Sequence, residues 1–411
     1  MTRIMKDSGI EWIGMIPEDW TIDKNKHCFI CSKEIVGDKS NETQLLSLTT
    51  KGVKKKNQED VTGKVPESYE TYQIVNERDL IMCLFDLDCS AVFSGISPYE
   101  GMVSPAYKIL KCRENYYPQF ADYWFKYIFD GRKFKYYSKN LRYTLNYDEF
   151  GILPIVLFST DEQKRIANYL DEKCASIDAV IEKTEASIYE YKRLKQSVIT
   201  HAVTKGIHSN RKLKKSGVDF LGEIAEDFEL RRLKDVLDIL DEYRKPISAE
   251  ERNQDAEILY DYYGASGAID KIDGYTIDDH VMLIGEDGAN LRMRNLPLMY
   301  EVNGKAWINN HAHILKPKKN YDFKYLFYTL EAIDINPYIT GSAQPKLSQE
   351  KLRSIILPIP DYSEQVEISN YICERICSIE IMIEKKRKIL EEVQELKKSL
   401  IYECVTGKRI I

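Results

Sequence analysis

A chain of 411 residues, with 43% hydrophobic and 30% charged residues, is long enough for roughly two to four domains with their own cores. Its formal net charge of −6 excludes a protein that binds nucleic acid as a general polycation, so any DNA binding has to come from local basic surfaces. The opening residues lack the apolar run of a signal peptide, and no segment reaches the ~18 consecutive apolar residues of a transmembrane helix. We therefore expect a cytoplasmic protein.

The cysteines and histidines offer few combinations with metal-ligand spacing. One candidate site combines a CxxC pair with two later cysteines: Cys28, Cys31, Cys83 and Cys89. Small buried core residues are the simpler interpretation of these thiols. His311 and His313 could share one face of a strand as ligands, but structural roles are again favoured. We predict that the chain holds no metal.

Two segments of the sequence occur twice. SGIEWIGMIPEDW at residues 8–20 recurs as SGVDFLGEIAEDF at residues 216–228, at an offset of 208 without a gap. A longer segment at residues 161–204 recurs at 363–406, at an offset of 202, and Leu-Pro-Ile precedes each copy. Two matching pairs in the same order indicate a tandem duplication, in which a variable domain and a helix each occur twice.

The longer repeated segments are predicted to be helices. Prolines at 154, 358 and 360 end the preceding strand or loop, and Asp161 and Ser363 are candidate N-caps at equivalent positions. Neither segment contains Pro or Gly for about 43 residues, except at its far end, which corresponds to a helix of about 65 Å.

Apolar residues in both helices follow alternating steps of four and three, as in a coiled-coil seam, and polar residues interrupt both seams at the same two places. We predict that the helices pack together as an antiparallel coiled coil, which would hold the two variable domains at opposite ends of a rod. The alternative is two amphipathic helices that each pack on their own domain. The predicted helix–helix contacts are made by Ile177, Ile181, Ile188, Tyr191, Val198, Ile379, Ile383, Leu390, Val393 and Leu400.

The segments at 21–150 and 229–352 differ from each other, although both begin and end alike. Short apolar runs, as at 78–85, alternate with Gly- and Asn-rich turns, and helical patterns cover 118–130 and 321–333. This pattern predicts a mixed α/β fold with short strands, duplicated with pseudo-twofold symmetry. The predicted divisions are a first domain at 1–158, a first long helix at 159–206, a second domain at 207–360, and a second long helix with a carboxyl-terminal tail at 361–411.

Polar loops in both variable domains are candidates for contact with DNA. Arg side chains pair with guanine and Asn or Gln with adenine, whereas Lys, Ser and backbone amides bind phosphates. In the first domain the candidates are Thr49, Thr50, Lys51, Lys54, Lys55, Lys56, Ser138, Lys139, Asn140 and Arg142. In the second domain they are Ser266, Asn290, Arg292, Arg294, Asn310, His311, Ser342, Gln344 and Lys346. Solvated lysine loops and ordinary Gly-rich turns are the alternative interpretation.

One pair of candidate loops is related by the offset of the long helices. Residues 138–145 align with 340–347, so that Arg142 lies opposite Gln344 and Leu145 opposite Leu347. Two domains that recognise unlike sequences need the same loop with different polar residues, and the two copies have this property.

The sequence contains no recognisable catalytic motif. Residues 96–99 lack the second proline of an amino-methyltransferase motif, and Thr-Gly-Lys at 406–408 is only a fragment of a nucleotide-binding loop. We therefore expect a chain without catalytic residues or its own cofactor. The alternatives are a self-contained DNA methyltransferase or nuclease with degenerate motifs, and a coiled-coil adaptor that does not contact DNA.

Together these motifs resemble the specificity subunits of type I restriction-modification enzymes. The similarity rests on the opening at 12–20, on Leu-Pro followed by Glu-Gln at 162–163 and 364–365, and on three segments of the second variable domain at 285–288, 309–313 and 341–348. It covers essentially the whole chain in order. The first variable domain has fewer of these motifs, and the first long helix ends in Thr-Lys-Gly where the second ends in Thr-Gly-Lys.

This resemblance implies two target-recognition domains that each recognise one half of a split, asymmetric site in double-stranded DNA, with a spacer set by the helices. It also implies partners. Two modification subunits would bind S-adenosylmethionine and methylate adenine, and restriction subunits would use ATP and magnesium to act as an endonuclease and translocase. The chain would then be the non-catalytic scaffold of a restriction and DNA-modification system.

Overall fold

The computed structural model describes residues 3–57, 66, 68–138, 142–248, 250–252 and 257–411. The chain divides into two compact units: Met1–Glu185 with Lys388–Ile411, called here the first unit, and Ala186–Arg387, the second unit. Each combines strands and short helices with part of two long helices, which confirms the predicted mixed α/β class. Among the described residues, no helix has the length and apolar character needed to cross a membrane.

The first unit is built from short strands and two four-stranded sheets. Its strands are β1 (Met5–Asp7), β2 (Met15–Pro17), β3 (Thr21–Lys24), β4 (Phe29–Ser32), β5 (Leu45–Thr49), β6 (Gly52–Lys56), β7 (Gln73–Val75), β8 (Leu80–Met82), β9 (Ser94–Ile96), β10 (Gly101–Val103), β11 (Lys108–Cys112) and β12 (Pro154–Leu157). Its helices are α1 (Asn25–Cys28), α2 (Pro118–Asp130), α3 (Tyr147–Gly151) and the start of α4 (Thr160–Lys205), with 3-10 turns at Gly37–Asn41 and Lys133–Tyr136. The sheets run in the orders β6-β5-β10-β7 and β4-β11-β8-β9, beside the pairs β1-β2 and β12-β3.

Helix α2 covers the second of these sheets, and its sequence explains why. Phe120, Trp124 and Ile128 recur every four residues, so they lie on one helical face and are fully buried. They share a core with Leu80 of β8 and Leu110 of β11. The predicted helical pattern at 118–130 is confirmed.

The second unit is built around one six-stranded sheet. Its strands are β13 (Leu213–Lys215), β14 (Glu223–Ala225), β15 (Glu229–Arg232), β16 (Leu237–Ile239), β17 (Tyr260–Gly264), β18 (Gly267–Ile272), β19 (Ile277–Gly285), β20 (Met299–Ile308), β21 (Ala312–Pro317) and β22 (Ile356–Ile359). Its helices are α5 (Leu233–Val236), α6 (Asn290–Met293), α7 (Phe323–Ala332), α8 (Gln349–Ser354) and the start of α9 (Tyr362–Val405), with 3-10 turns at Asp241–Tyr243 and Asn336–Tyr338. The large sheet has the order β16-β21-β19-β20-β17-β18, beside the pairs β13-β14 and β15-β22.

Strand β19 shows that this sheet is covered on both faces. Successive side chains of a strand point to opposite faces. Met282 and Ile284 join the main core of the unit together with Leu326 of α7. Val281 and Leu283 join a second buried cluster on the other face. The strand is therefore a nearly continuous apolar run rather than an alternating one.

The long helices α4 and α9 confirm the predicted helical repeat. A glycine with a left-handed backbone follows each helix, Gly206 at φ +76° and Gly407 at φ +71°, a conformation that side chains with a Cβ atom disfavour. At the other end, Gln163 accepts a hydrogen bond from the N–H of Tyr117 at 2.8 Å. Gln365 does the same with the N–H of Asp322 at 2.9 Å. The Glu-Gln motif therefore joins the start of each helix to the domain beside it.

An arginine that occurs in both copies contacts the repeated segments at 8–20 and 216–228. Arg3 donates to Glu162 at 2.5 Å and to Asp19 at 3.0 Å, and it lies over the ring of Trp20. The same contacts in the second unit are made by Arg211, Glu364, Asp227 and Phe228. Both sets join an amino-terminal strand pair to the first turn of a long helix. The two segments that first indicated the duplication thus form one structural contact.

The two long helices pack antiparallel within each unit. In the first unit, Lys397 lies 2.6 Å from Asp178. Earlier residues of α4, such as Cys174, share a core with later residues of α9, such as Cys404. In the second unit, Lys195 lies 2.6 Å from Glu380, and Lys386 lies over the ring of Tyr191.

The residues predicted to form the helix–helix seam lie on one less-exposed stripe of each helix. Ile379, Ile383 and Leu400 are buried. The others are half-buried: Ile177, Ile181, Ile188, Tyr191, Val198, Leu390 and Val393. Most residues between them are exposed, as expected for helices that use one stripe for packing.

The cysteines occur as free thiols, and several are buried in the cores. Burial raises the pKa of Cys28 to about 12, so this thiol stays protonated near neutral pH. Within the described ranges, no three His, Cys, Asp or Glu side chains are grouped so that they could hold a metal ion.

Candidate nucleic-acid interface

Four candidate segments of the second unit come together at one edge of the large sheet. The backbone N–H of Glu286 donates to His311 at 2.8 Å, and the N–H of Gly288 donates to Pro345 at 3.0 Å. The turn between β17 and β18 also belongs to this group, because Gly285 approaches the carbonyl oxygen of Ala265 so closely that a Cβ atom there would lie 2.7 Å from it. Segments that are far apart in sequence therefore form one surface.

The loop at 340–347 is closed by its own backbone. Thr340 and Lys346 exchange N–H to carbonyl hydrogen bonds at 2.8 and 2.9 Å, and Gly341 adopts a left-handed conformation at φ +79°. The N–H of Leu347 donates to Glu286 at 2.7 Å and fixes the loop to the end of β19. This closure leaves the side chains of three candidates exposed: Ser342, Gln344 and Lys346.

The neighbouring candidates Asn310 and His311 are also exposed. His311 Nδ1 lies 2.7 Å from Asp287, so the imidazole is held in place at the surface. A cavity of about 360 Å³ opens beside both residues and is also lined by Tyr262. Ser266 is exposed in the adjoining turn. The exposed polar groups offer both donors and acceptors to a ligand.

The loop around α6 contains three candidates with different placements. Asn290 donates to Pro297 at 3.1 Å and accepts from the N–H of Leu296 at 2.9 Å, so its amide holds its own loop together. Arg294 donates to the carbonyl oxygens of Glu331 at 2.8 Å and Ile333 at 2.6 Å, at the end of α7. Its guanidinium is therefore engaged within the protein, and burial lowers its pKa.

Arg292 presents its side chain on the surface between these loops. It is exposed, and its guanidinium makes contacts of 3.3 Å and 3.4 Å with the carbonyl oxygens of Gly341 and Ile339. It thus lies beside the 340–347 loop. Of the arginines in this loop, Arg292 is better placed for an external ligand than Arg294.

In the first unit, the hairpin of β5 and β6 contains six candidates. Thr49 pairs with Gly52 across a two-residue turn formed by Thr50 and Lys51, which are both exposed. Lys54 and Lys55 are exposed, Thr49 and Lys56 are half-buried, and Lys55 lies over the ring of Tyr99 at 4.8 Å. The hairpin therefore presents a short basic strand to solvent.

The loop at 138–145 matches the 340–347 loop of the second unit. Ser138 donates to the carbonyl oxygen of Thr144 at 3.2 Å, and the N–H of Leu145 donates to Leu84 at 2.7 Å. Ser138 is itself buried, which suits loop closure. Arg142 is 80% exposed and lies 3.6 Å from Asp86. The candidates Lys139 and Asn140 lie outside the described residues.

The same contacts close the two loops. Thr340 donates to the carbonyl oxygen of Lys346 at 3.2 Å, as Ser138 does to Thr144, at the offset of 202. Both loops are fixed by the N–H of a buried leucine, which donates to the end of an inner strand. Among the described residues, the two loops therefore share these two contacts, with Arg142 in one copy where the other has Gln344.

Sequence reasoning missed Arg244 and Glu286, two charged residues that support these loops. Arg244 donates to Glu286 at 2.5 Å, and Lys346 lies 3.1 Å from the other carboxylate oxygen of Glu286. Burial alone would raise the pKa of Glu286, but its hydrogen bonds with Arg244 and Lys346 lower it overall. Arg244 is 42 residues away from Glu286 in the chain, so no local pattern could have joined them.

The comparisons with known proteins agree with this architecture. Residues 225–393 match the family model described as the type I restriction modification DNA specificity domain. A Methanocaldococcus jannaschii protein named as the type I restriction enzyme MjaX specificity subunit is 24% identical over 420 aligned residues, which cover 96% of this chain and 95% of that protein. The chain is therefore similar to type I restriction enzyme specificity subunits along almost its whole length. The family model itself matches only the second unit and the adjoining start of α9.

Other specificity subunits match over shorter segments. A Haemophilus influenzae protein named as a specificity subunit is 33% identical over 156 residues, 38% of this chain. That match spans 39% of the Haemophilus protein, less than two thirds of its length. The fold is similar to a chain solved in work on complex assembly and conformational transition of the type I R-M system, with a TM-score of 0.70, 13% identity, and coverage of 95% of this chain and 98% of that one.

Proposed function

We propose that this chain is a specificity subunit that recognises a two-part, asymmetric sequence in double-stranded DNA and holds the catalytic subunits of a type I restriction-modification enzyme. Residues 1–158 and 207–360 would be the two target-recognition domains. The observation that carries this proposal is the pair of loops at 138–145 and 340–347. In both loops a hydroxyl side chain and a leucine N–H make equivalent contacts, but the exposed side chains at Arg142 and Gln344 differ.

Recognition of unlike half-sites requires the same scaffold with different groups that face the bases. An exposed guanidinium such as that of Arg142 favours guanine, whereas the amide of Gln344 favours adenine. Lysines of the β5–β6 hairpin and Lys346 would bind phosphates and fix the position of each domain. Because the formal net charge is −6, these local basic groups carry the attraction to DNA.

The long helices are proposed to set the separation of the two half-sites. They would act as a spacer because α4 and α9 contain no interior proline or glycine. A base pair occupies about 3.4 Å along DNA, so a change in helix length would change the number of unspecified base pairs between the half-sites.

The duplication also favours two equivalent docking positions for one kind of partner. Val180 and Leu396 are exposed on the long helices of the first unit. Their repeat equivalents in the second unit, Met382 and Leu194, are exposed as well. Contiguous exposed apolar patches mark interaction sites, and these four residues occupy equivalent positions in the two copies. Two copies of a modification subunit would fit such a pair of positions.

The chemistry would reside in those partners. Modification subunits would supply S-adenosylmethionine-dependent methylation of adenine, and restriction subunits would supply ATP- and magnesium-dependent translocation and cleavage. The proposed role of this chain is to bind and orient DNA, because the loops at its candidate interface present exposed hydrogen-bond donors and acceptors.

The test is co-expression of the chain with the modification subunit of its own system, followed by genome-wide mapping of methylated adenines. The expected result is one split motif. Exchange of residues 21–150 for those of another specificity subunit should change one half of the motif, and exchange of 229–352 should change the other. Methylation without a shared sequence motif, or exchanges that each alter both halves, would refute the proposal.

A further inference from the structure

A large apolar side chain stands exposed beside the candidate interface of the second unit. Met293, the last residue of α6, is 67% exposed. Its neighbour in the chain, Arg292, contacts the carbonyl oxygen of Gly341 at 3.3 Å, so the segment adjoins the 340–347 loop. A single exposed apolar residue is ordinary on a protein surface, so the groups around Met293 decide whether it has a ligand.

The loop that follows α6 is fixed within the unit. Leu291 and Leu298, on either side of it, are buried in the main core. Asn290 accepts from the N–H of Leu296 at 2.9 Å, and Arg294 donates to carbonyl oxygens at the end of α7. Because the loop is already ordered, a ligand that binds it loses little affinity to the ordering of the protein.

An amide lies directly beside the thioether of Met293. Nδ2 of Asn295 is 3.9 Å from Sδ of Met293, and both side chains are exposed. An asparagine amide pairs with N6 and N7 of adenine in the major groove, and an apolar side chain packs against the 5-methyl group of thymine. Methionine suits the second contact because its unbranched, polarizable side chain adapts to the surface that it meets. The two side chains together match the major-groove edge of an A·T base pair.

The groups around this pair favour DNA as the ligand over an apolar protein surface. Arg292 and Lys346 are exposed cations, and Ser342 and Gln344 add exposed hydrogen-bonding groups. The centre of a protein–protein interface is depleted of charged residues, whereas protein–DNA interfaces are polar and positively charged. One apolar side chain within a basic and polar surface therefore fits a duplex.

We propose that Met293 and Asn295 recognise an A·T base pair of the second half-site, with Met293 against the thymine methyl group and Asn295 on the adenine. This inference rests on the function proposed above. It adds two specificity residues that lie outside the 340–347 loop. It also requires that the second half-site contain a thymine whose methyl group contributes to binding.

The experiment removes the thymine methyl group and leaves the base pair intact. It uses the complex with the modification subunit and a duplex that carries the methylated motif. Each thymine of the second half is replaced in turn by uracil, which lacks only the 5-methyl group, and the Kd is divided by that of the intact duplex. At one thymine the ratio should be about four, which corresponds to about 0.8 kcal/mol, the contribution of one buried methyl group.

Three variants separate recognition of the methyl group from a structural role. Met293→Ala should bind the thymine and uracil duplexes equally, because the apolar contact is absent from both complexes. Met293→Leu keeps an apolar side chain of similar volume and should retain the ratio. Asn295→Ala should relax the methylated motif at the same base pair or its neighbour, because the two side chains lie 3.9 Å apart and successive base pairs about 3.4 Å apart.

Leu230→Ala is the matched control. Leu230 is an exposed apolar residue of the same unit, but it lies on the β15–β22 strand pair rather than on these loops. This variant should keep the wild-type ratio. Uracil in the first half-site should have the same effect in wild type and in Met293→Ala.

An unchanged uracil ratio in Met293→Ala, or a lost ratio in Leu230→Ala, would overturn the inference. A wild-type complex in which no thymine of the second half responds to uracil would do so without any variant. If Met293→Ala weakened assembly with the modification subunit and left the ratio unchanged, Met293 would contact a protein instead of DNA. Failure of the proposed function has a separate signature, since no split methylated motif would then be found.

Discussion

Lys397 Nζ lies 2.6 and 2.7 Å from the two carboxylate oxygens of Asp178, on the neighbouring long helix of the first unit. At the repeat offset of 202 residues, Lys397 corresponds to Lys195 and Asp178 corresponds to Glu380. These two residues lie 2.6 Å apart in the second unit. The lysine and the acid have both been kept in each copy, with aspartate in one and glutamate in the other. An ion pair between antiparallel helices is thus a conserved product of the duplication.

This relationship predicts a charge-swap rescue. Lys397→Glu places two anions side by side and should lower the free energy of unfolding by about 1 kcal/mol, because exposed pairs contribute little. Adding Asp178→Lys should restore most of the loss. The measurement is thermal unfolding of Lys397→Glu, of Asp178→Lys and of the double variant, which together with the wild type form a double-mutant cycle. A double variant as unstable as the sum of the single ones would show that the pair does not interact, and high salt should reduce the coupling.

The Arg211 contacts predict acid-dependent stability. A hydrogen bond from Arg211 is the main cause of the lowered pKa of Asp227. A group whose pKa is lowered by folding stabilises the protein above its unfolded value of about 3.9, and that stabilisation is lost as the pH falls further. Arg211→Ala should therefore cost about 1–3 kcal/mol near neutral pH, and the deficit relative to wild type should shrink below about pH 4.

Tm values measured against pH for wild type and variant check this prediction. Arg231→Ala is the control, because Arg231 pairs with Glu229 at an exposed site and should change Tm little. If the Tm difference between Arg211→Ala and wild type stayed constant through the acid range, the contact between Arg211 and Asp227 would not be its cause.

The paired loops predict separable effects on the DNA motif. Arg142→Ala should relax the first half-site at one base pair, and Gln344→Ala should relax the second half-site in the same way, each by about 1–3 kcal/mol. Methylated-adenine mapping of each variant in its complex gives the readout. A variant that weakened methylation equally at all sites, without relaxing the motif, would assign its side chain to phosphate contact instead.

The spacer proposal predicts the effect of inserting one heptad into each long helix. Seven residues add about 10.5 Å to a helix, which is about three base pairs of DNA. The insertions keep the seam in phase, so both half-sites should be retained while the unspecified segment lengthens. Insertion into α4 alone leaves α9 without matching partners and should destabilise the chain. An unchanged spacer in the double insertion would contradict the role of the helices.

Much of the fold could be predicted because it depends on patterns among residues that are close together in the sequence. Heptad spacing, the absence of interior proline and the repeated Glu-Gln and Glu-Asp motifs indicated two long helices and a duplication. The alignment of 138–145 with 340–347 stays a prediction, supported by equivalent hydroxyl contacts of Ser138 and Thr340 and by the N–H contacts of Leu145 and Leu347. These properties depend on residues that are close in sequence or on an offset that can be counted.

The roles of individual loop residues depended on tertiary structure. The sequence offers Arg292 and Arg294 as equal candidates, but only the folded chain brings the end of α7 to Arg294 and engages its guanidinium there. His313 belongs to a motif that suggests a surface ligand, yet it lies under a loop supported by Asp241, 72 residues away in the chain. Sequence determined which backbone elements form and that they form twice. Long-range packing decided which polar groups are used inside the protein and which remain exposed, because hydrogen-bond partners are chosen by proximity in space.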